Sequence, residues 1–214
     1  MKISALSAAL VLIMAALPTE AAKAEDYTVG HAKGSADAPI TLVEYGSLSC
    51  GTCKYFHDKI MPTIEEDYVA TGKVRFVFRE VLHNDIDTAL VSIARCAGDG
   101  EFFEVVDTIF EMQPDIISAA REGRVTDKFI EIGSPYGITD MDKFDACYRD
   151  MDIRFDILEV TESAKAYELH GTPTLIVNGE EKYLDNDFAS GEAFAAYLDR
   201  QLDMVSGVTT PLAE

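Results

Sequence analysis

Cys50 and Cys53 stand three residues apart in Cys50-Gly51-Thr52-Cys53, and two thiols at that spacing can open and close a disulfide reversibly. The thiolate is the nucleophile in such exchange, so the chemistry depends on how negative charge on sulfur is stabilised. The pair lies between a run that reads as a strand and one that reads as a helix. That places Cys50 at a helix N-terminus, where unpaired backbone N–H groups and the dipole favour an anion. Thiols in this setting have pKa values of roughly 3.5 to 7. Cys53, one turn deeper, can attack Cys50 to resolve a mixed disulfide, and Gly51 and Thr52 allow the tight turn. Two other readings stand beside this one. The first is a short structural disulfide. The second is a metal site that adds His57, four residues after Cys53. Zinc takes four ligands in structural sites, or three plus water. No second CxxC completes a set, and His31, His83 and His170 have no fixed spacing to His57. His57 therefore reads as an exposed helix histidine, and neither a metal nor another cofactor is expected.

The flanking elements follow from periodicity. Ile40 to Tyr45 is β-branched and aromatic, a strand. Lys54 to Ala70 carries Phe56, Ile60, Ile64 and Tyr68 at four-residue spacing, a helix that Gly72 stops. Pro62 inside it predicts a kink that bends the helix over the sheet. Lys73 to Val81 is a second strand with Val74, Phe76 and Phe78 on one face, completing a βαβ unit. From Asp85 to Asp150 the pattern is helical, with stripes at Ile86, Leu90, Ile93 and Ala97 and at Phe102, Phe103, Val106, Ile109 and Phe110. Shorter helical segments surround Val125 to Ile132 and Met141 to Tyr148, and a longer helix spans Ile153 to Leu169. Thr174 to Val177 and Lys182 to Leu184 flank Asn178-Gly179, a strong hairpin signal. A last helix begins after Ser190, a good N-cap, with Phe194, Tyr197, Leu198 and Leu202 on one face. The fold class is α/β, interrupted by an all-helical block.

The chain has 214 residues, a formal net charge of -20, 48% hydrophobic and 26% charged residues. An acidic balance of this size excludes nucleic-acid partners, whose binding needs clustered Lys and Arg, and excludes a site on anionic lipid. Lys2, the uncharged apolar run Ile3 to Leu17 and Ala22-Lys23-Ala24 have the layout of a secretory signal peptide over residues 1–24. The run is shorter than the ~20 residues of a spanning helix; an uncleaved anchor is the alternative. Cleavage removes Lys2, Lys23 and Glu20 and takes the charge to -21. Export to an oxidising compartment favours paired thiols, so Cys96 and Cys147, in the helical block, read as a structural disulfide. Closing that loop of about 52 residues would contribute roughly 4 kcal/mol on the chain-entropy model. Two buried thiols or a second redox pair are the alternatives. Glu44, six residues before Cys50 on the strand face of Ile40 and Leu42, is expected to lie buried beneath the motif, where desolvation would raise its pKa; a solvated strand-edge Glu is the alternative. Acidic residues concentrate at Asp140, Asp142, Asp145, Asp150, Asp152, Asp156, Glu159 and Glu162. Near Cys50 they would disfavour its thiolate; far from it they only solvate the surface.

The segment Glu44 to His57, with Pro62 later in the helix, resembles the active-site region of the DsbA-like thiol:disulfide oxidoreductases, and Thr172-Pro173-Thr174 resembles their cis-proline loop. Taken from the residues alone, Pro173 is equally a strand-entry proline. The resemblance implies a thioredoxin fold with an inserted helical domain. Residues 25–84 and 151–206 would form the discontinuous thioredoxin-fold domain, 85–150 the insertion and 207–214 a flexible tail. It further implies that Cys50 is the exposed nucleophile and Cys53 the buried resolving thiol. Glu44 would relay protons for Cys53, and Thr172 and Pro173 would offer backbone to an extended substrate strand. The family's better-known oxidases carry Pro-His between the cysteines; Gly51-Thr52 here offers no imidazole, and Thr172 is more like isomerase and reductase members. Dimeric isomerases carry an N-terminal dimerisation region, and the about 15 residues between Glu25 and Ile40 leave no room for one. The resemblance thus implies a monomeric periplasmic oxidase of reduced, unfolded exported proteins, reoxidised by a quinone-linked membrane partner. The alternative is a reductase or isomerase kept reduced by a membrane donor; a CxxC metal-binding protein is more distant.

Overall fold

The computed structural model describes residues 28–167, 169–182 and 189–207. The signal-peptide reading, Tyr183 and Leu184 of the hairpin, and residues 208–214 of the tail lie outside the described residues. Five strands form one sheet in the order β1-β3-β2-β4-β5: β1 (His31–Lys33), β2 (Ile40–Gly46), β3 (Val74–Glu80), β4 (Thr174–Val177) and β5 (Glu180–Lys182). The parallel β2–β3 pair at the centre is joined through helices α1 (Gly51–Lys59) and α2 (Met61–Ile64), as the βαβ pattern predicts. The remaining pairings are antiparallel.

The strand period divides the sheet faces. Ile40, Leu42, Val74, Phe76 and Phe78 point into the main core with Phe56, Ile60 and Ile64 of the α1–α2 segment. Val43, Tyr45, Val77 and Ile176 form the opposite cluster, under Ala164, Tyr167 and Leu169. The helix after Cys50 does break near Pro62. Lys59 ends α1, Ile60 stays in the right-handed region but with φ stretched to -113°, and Pro62 sits in the first turn of α2, where its missing N–H costs no helical hydrogen bond. Residues Glu65–Val69 then continue as a wider π-helical turn.

Between β3 and the return to the sheet run α3 (Asp85–Ala97), α4 (Phe102–Arg121), α5 (Val125–Gly133) and α6 (Met141–Tyr148), followed by α7 (Met151–Ser163). α8 (Gly191–Val205) closes the chain, capped by the Ser190 hydroxyl on the Ala193 N–H at 3.2 Å. The hairpin is tighter than the sequence predicts. Val177 pairs directly with Glu180, so the second strand starts immediately after Asn178 (φ 50°) and Gly179 (φ 84°), a two-residue turn with both residues left-handed. The whole is an α/β thioredoxin-like fold with a helical insertion. Among the described residues, no helix is long and apolar enough to cross a membrane.

Candidate active site

Cys50 caps α1. Its backbone is extended (φ -83°, ψ 124°), and its Sγ accepts a hydrogen bond from the Cys53 N–H at 3.4 Å. Cys50 is half-buried and Cys53 is fully buried among Leu48, Phe56 and the sheet. Gly51 and Thr52 are exposed. Facing the pair is the Thr172–Pro173 peptide, which is cis. The Cys50 Sγ–H donates to the Thr172 carbonyl at 3.3 Å. The Cys50 pKa is pulled down to about 5, chiefly by the hydrogen bond from the Cys53 side chain. Partial burial opposes the shift, and the Thr172 side chain and the Cys53 and Thr52 N–H groups reinforce it. Burial pushes the Cys53 thiol far up, with the hydrogen bond to Cys50 and the Glu44 carboxylate adding to the effect. The two sulfurs are thus driven apart, one toward thiolate and one toward thiol.

The loop before Cys50 is clamped from two sides. Asp87, fully buried in α3, accepts the Ser47 hydroxyl at 3.0 Å and the Ser49 N–H at 2.8 Å on Oδ1, and the His83 N–H at 3.0 Å on Oδ2. Gln113, buried in α4, donates Nε2 to the Leu48 carbonyl at 2.8 Å and to the Cys50 carbonyl at 3.1 Å. The Ser47 N–H donates to the Cys53 Sγ at 3.4 Å. On the other side of the cleft, the His83 ring meets the Thr172 hydroxyl at 3.2 Å.

Glu44 lies on β2, fully buried, with Oε2 2.8 Å from the His57 Nε2 and Oε1 without a hydrogen-bond partner among the described residues. Gly46 makes room for it: a Cβ there would stand 2.7 Å from Glu44 Oε1 and 2.8 Å from the Phe78 ring.

The sequence profile of the family described as thioredoxin matches residues 27–200. The chain belongs to the thioredoxin family. Among relatives of this thioredoxin-family chain, a Rickettsia bellii protein provisionally named protein-disulfide oxidoreductase is 31% identical over 160 residues, covering 73% of this chain and 61% of the relative. Disulfide bond formation protein D of Bacillus subtilis is 34% identical over 86 residues, 38% of this chain and 39% of that protein. The matched stretch spans 52% to 61% of the Rickettsia relatives' own length. The crystal structure of Wolbachia pipientis alpha-DsbA1 superposes with a TM-score of 0.69 at 18% identity, over 86% of this chain and 98% of that one, which shows the shared fold.

Within this thioredoxin-family site the structure brings together Cys50, Cys53, Thr172 and Pro173, with Glu44 behind Cys53. Cys96 and Cys147 are elsewhere, in a disulfide that joins α3 to α6 with Cα atoms 5.7 Å apart. One expectation is overturned. His57 is not an exposed helix histidine: its side chain is 7% exposed and paired with Glu44. α1 lies flat on the sheet, and a residue four after Cys53 falls on the same buried face. Among the described residues, no group of three or more His, Cys, Asp or Glu side chains is placed to hold a metal ion. The acids of α6 and α7 are not among the main groups acting on Cys50. Sequence reasoning missed Asp87, Gln113 and His83. A buried Asp in the first turn of a helix is disguised by the preference of that turn for acidic residues, and nothing in the local pattern marks Gln113.

Proposed function

We propose that this chain is an exported, periplasmic thiol–disulfide oxidoreductase that acts as an oxidase. Its Cys50–Cys53 disulfide passes to reduced, unfolded exported proteins. The observation that carries this reading is Cys50 at the α1 N-terminus with its pKa pulled down to about 5. At neutral pH such a thiol is almost entirely thiolate, so the reduced form is stabilised, and a protein that stabilises its reduced form is an oxidant. A substrate thiolate attacks Cys50, the Cys50–Cys53 bond breaks, and Cys53 leaves with the electron pair and takes up a proton by way of Glu44. A second substrate thiolate then releases Cys50 and forms the substrate disulfide. The Thr172 backbone beside Pro173 offers an edge for an extended segment, a mode of recognition that suits many clients. The catalyst works as a monomer, a quinone-linked membrane oxidase restores its disulfide, and Cys96–Cys147 serves as a structural staple.

The reductase or isomerase reading draws on Gly51-Thr52, which gives Cys50 no imidazole between the cysteines. Three measurements test the mechanism and its direction. Cys50→Ala is expected to abolish oxidative refolding of a reduced substrate; full activity would sink the mechanism. Acid trapping and alkylation in cells should find the pair mostly as disulfide, and a mostly dithiol pool would favour the reductase. A reduction potential near about -120 mV marks a strong oxidant and one near about -270 mV a reductant.

A further inference from the structure

The buried pair Glu44–His57 has a second side that the reaction above does not use. Around the His57 ring the neighbours are aromatic: Phe110 stacks on it at 4.2 Å, and Phe56, Phe76 and Phe78 meet it edge-on at 5.8–6.4 Å. Among the described residues, its polar partner is Glu44 Oε2, at 2.8 Å. Yet His57 also lines a cavity of about 450 Å³ between the α1–α2 segment and α4. A 0%-exposed carboxylate with one unpartnered oxygen has no direct way to exchange protons with water. Imidazole can supply one, because it takes a proton on one nitrogen while releasing another from the second.

We infer that His57 is the proton conduit of this site, linking the buried Glu44 carboxylate beneath Cys53 to water in the cavity between α1–α2 and α4. The inference rests on the redox reading above. When substrate attack breaks the Cys50–Cys53 bond, the Cys53 thiolate takes its proton from Glu44, Glu44 is reprotonated from His57 Nε2, and His57 recovers its proton on the other nitrogen from water. In the reverse step Cys53 gives its proton to Glu44, and its thiolate attacks the Cys50 sulfur of a mixed disulfide. The Cys50–Cys53 bond forms and the other thiol departs as thiolate, while the proton leaves through His57. His57 touches none of the reacting sulfurs, so it acts through Glu44 as a positioning and relay residue.

Lys33 of β1 is paired with Glu65 at 2.8 Å, and Lys54 with Asp58 at 3.0 Å. Glu66, following α2, and Asp107 and Glu111 of α4 complete the lining. The surplus is acidic.

The test follows the reaction of the reduced protein with glutathione disulfide, quenched in acid and read by mass spectrometry. The first phase, attack by Cys50, depends on glutathione concentration. The second, attack by Cys53 on the mixed disulfide, is intramolecular and reports the loss of the Cys53 proton. His57→Gln keeps a donor for Glu44 but cannot relay. It and His57→Ala are expected to leave the first phase within about twofold and to slow the second by about tenfold or more. Imidazole should restore the second phase of His57→Ala in proportion to its concentration. Pyrazole, the same size but a far weaker base, should not. A second phase in His57→Gln equal to that of the natural chain from about pH 5 to 8, or equal rescue by both azoles, overturns the relay. Because the isotope effect needs no variant, slowing of the second phase in D₂O in the natural chain is the companion measurement, and no slowing also counts against the relay. Absence of the first phase in every form would instead overturn the redox reading itself.

Discussion

Asp87 offers the sharpest test of how the active-site loop is held. Its carboxylate is fully buried and accepts three donors: the Ser47 hydroxyl, the Ser49 N–H and the His83 N–H, at 2.8–3.0 Å. Asp87→Asn keeps the shape but turns one oxygen into an NH₂ group. If the remaining oxygen stays on Ser47 and Ser49, the NH₂ faces the His83 N–H, donor against donor. The lost bond to a charged acceptor is worth about 1.5–3 kcal/mol, and converting two charge-assisted bonds to neutral ones costs roughly 0.5–1 kcal/mol each. The total is about 2.5–5 kcal/mol. With an m-value of about 2 kcal/mol/M, the urea midpoint should fall by about 1.2–2.5 M. Far-UV circular dichroism is the appropriate probe, since the chain has no Trp. The Ser49 N–H immediately precedes the capping residue, so the midpoint of Cys50 alkylation should rise with the loosened loop. A midpoint shift below about 0.3 M with an unchanged m-value would refute the clamp.

The Cys50 thiolate should titrate with a midpoint near pH 5 by ultraviolet absorbance or alkylation rate. Because this lies below the about 8.5 of an unfolded thiol, its stabilisation of the reduced form is complete above that pH and is lost as pH falls through 5; a midpoint near 8 would contradict the site geometry. Gly46→Ala places a methyl group 2.7 Å from Glu44 Oε1 and should cost about 1–3 kcal/mol, or several degrees in melting temperature; no change would mean the carboxylate is free to move. His31, stacked on Phe102 at 3.5 Å, is lowered to about 4 by burial, with Arg95 adding to the effect and Asp99 opposing it. A lowered histidine contributes stability that is complete above about 6.5 and lost as pH falls through 4. His31→Phe should therefore remove up to about 3 kcal/mol of acid sensitivity between urea midpoints at pH 7 and pH 4; identical slopes would refute it. Gln113→Leu leaves the Leu48 carbonyl dry and should cost about 1–3 kcal/mol by the same urea assay.

The redox motif and the central strands were legible because each carries its own periodic or spacing signal. Phe76 and Phe78 alternate with Val77, and the cysteines sit where a strand gives way to a helix. β1 was not legible: His31-Ala32-Lys33 has no β-branched residue, and it forms a strand only because β3 offers an antiparallel edge. β5 was placed too late, since Glu180-Glu181-Lys182 is polar and its pairing follows from the turn. His57 was misread because its spacing from Cys53 was weighed only for metal ligation, although the same spacing put it on the buried face. Asp87 and Gln113 take their roles from segments about 40 and 65 residues away. Such partnerships exist only after the chain has folded.

The Gln113 amide has a consequence for engineering. It lies on α4, within the helical segment, yet it satisfies backbone carbonyls of Leu48 and Cys50 in the loop that leads into α1. The two parts are therefore not interchangeable modules. A chimera that took α3 to α6 from a distant relative would have to bring an amide to the same place, or the graft would leave a carbonyl of the host loop unsolvated. Recombination libraries built on this scaffold should keep position 113 with residues 47–53 as one inherited block, even though the sequence separates them widely.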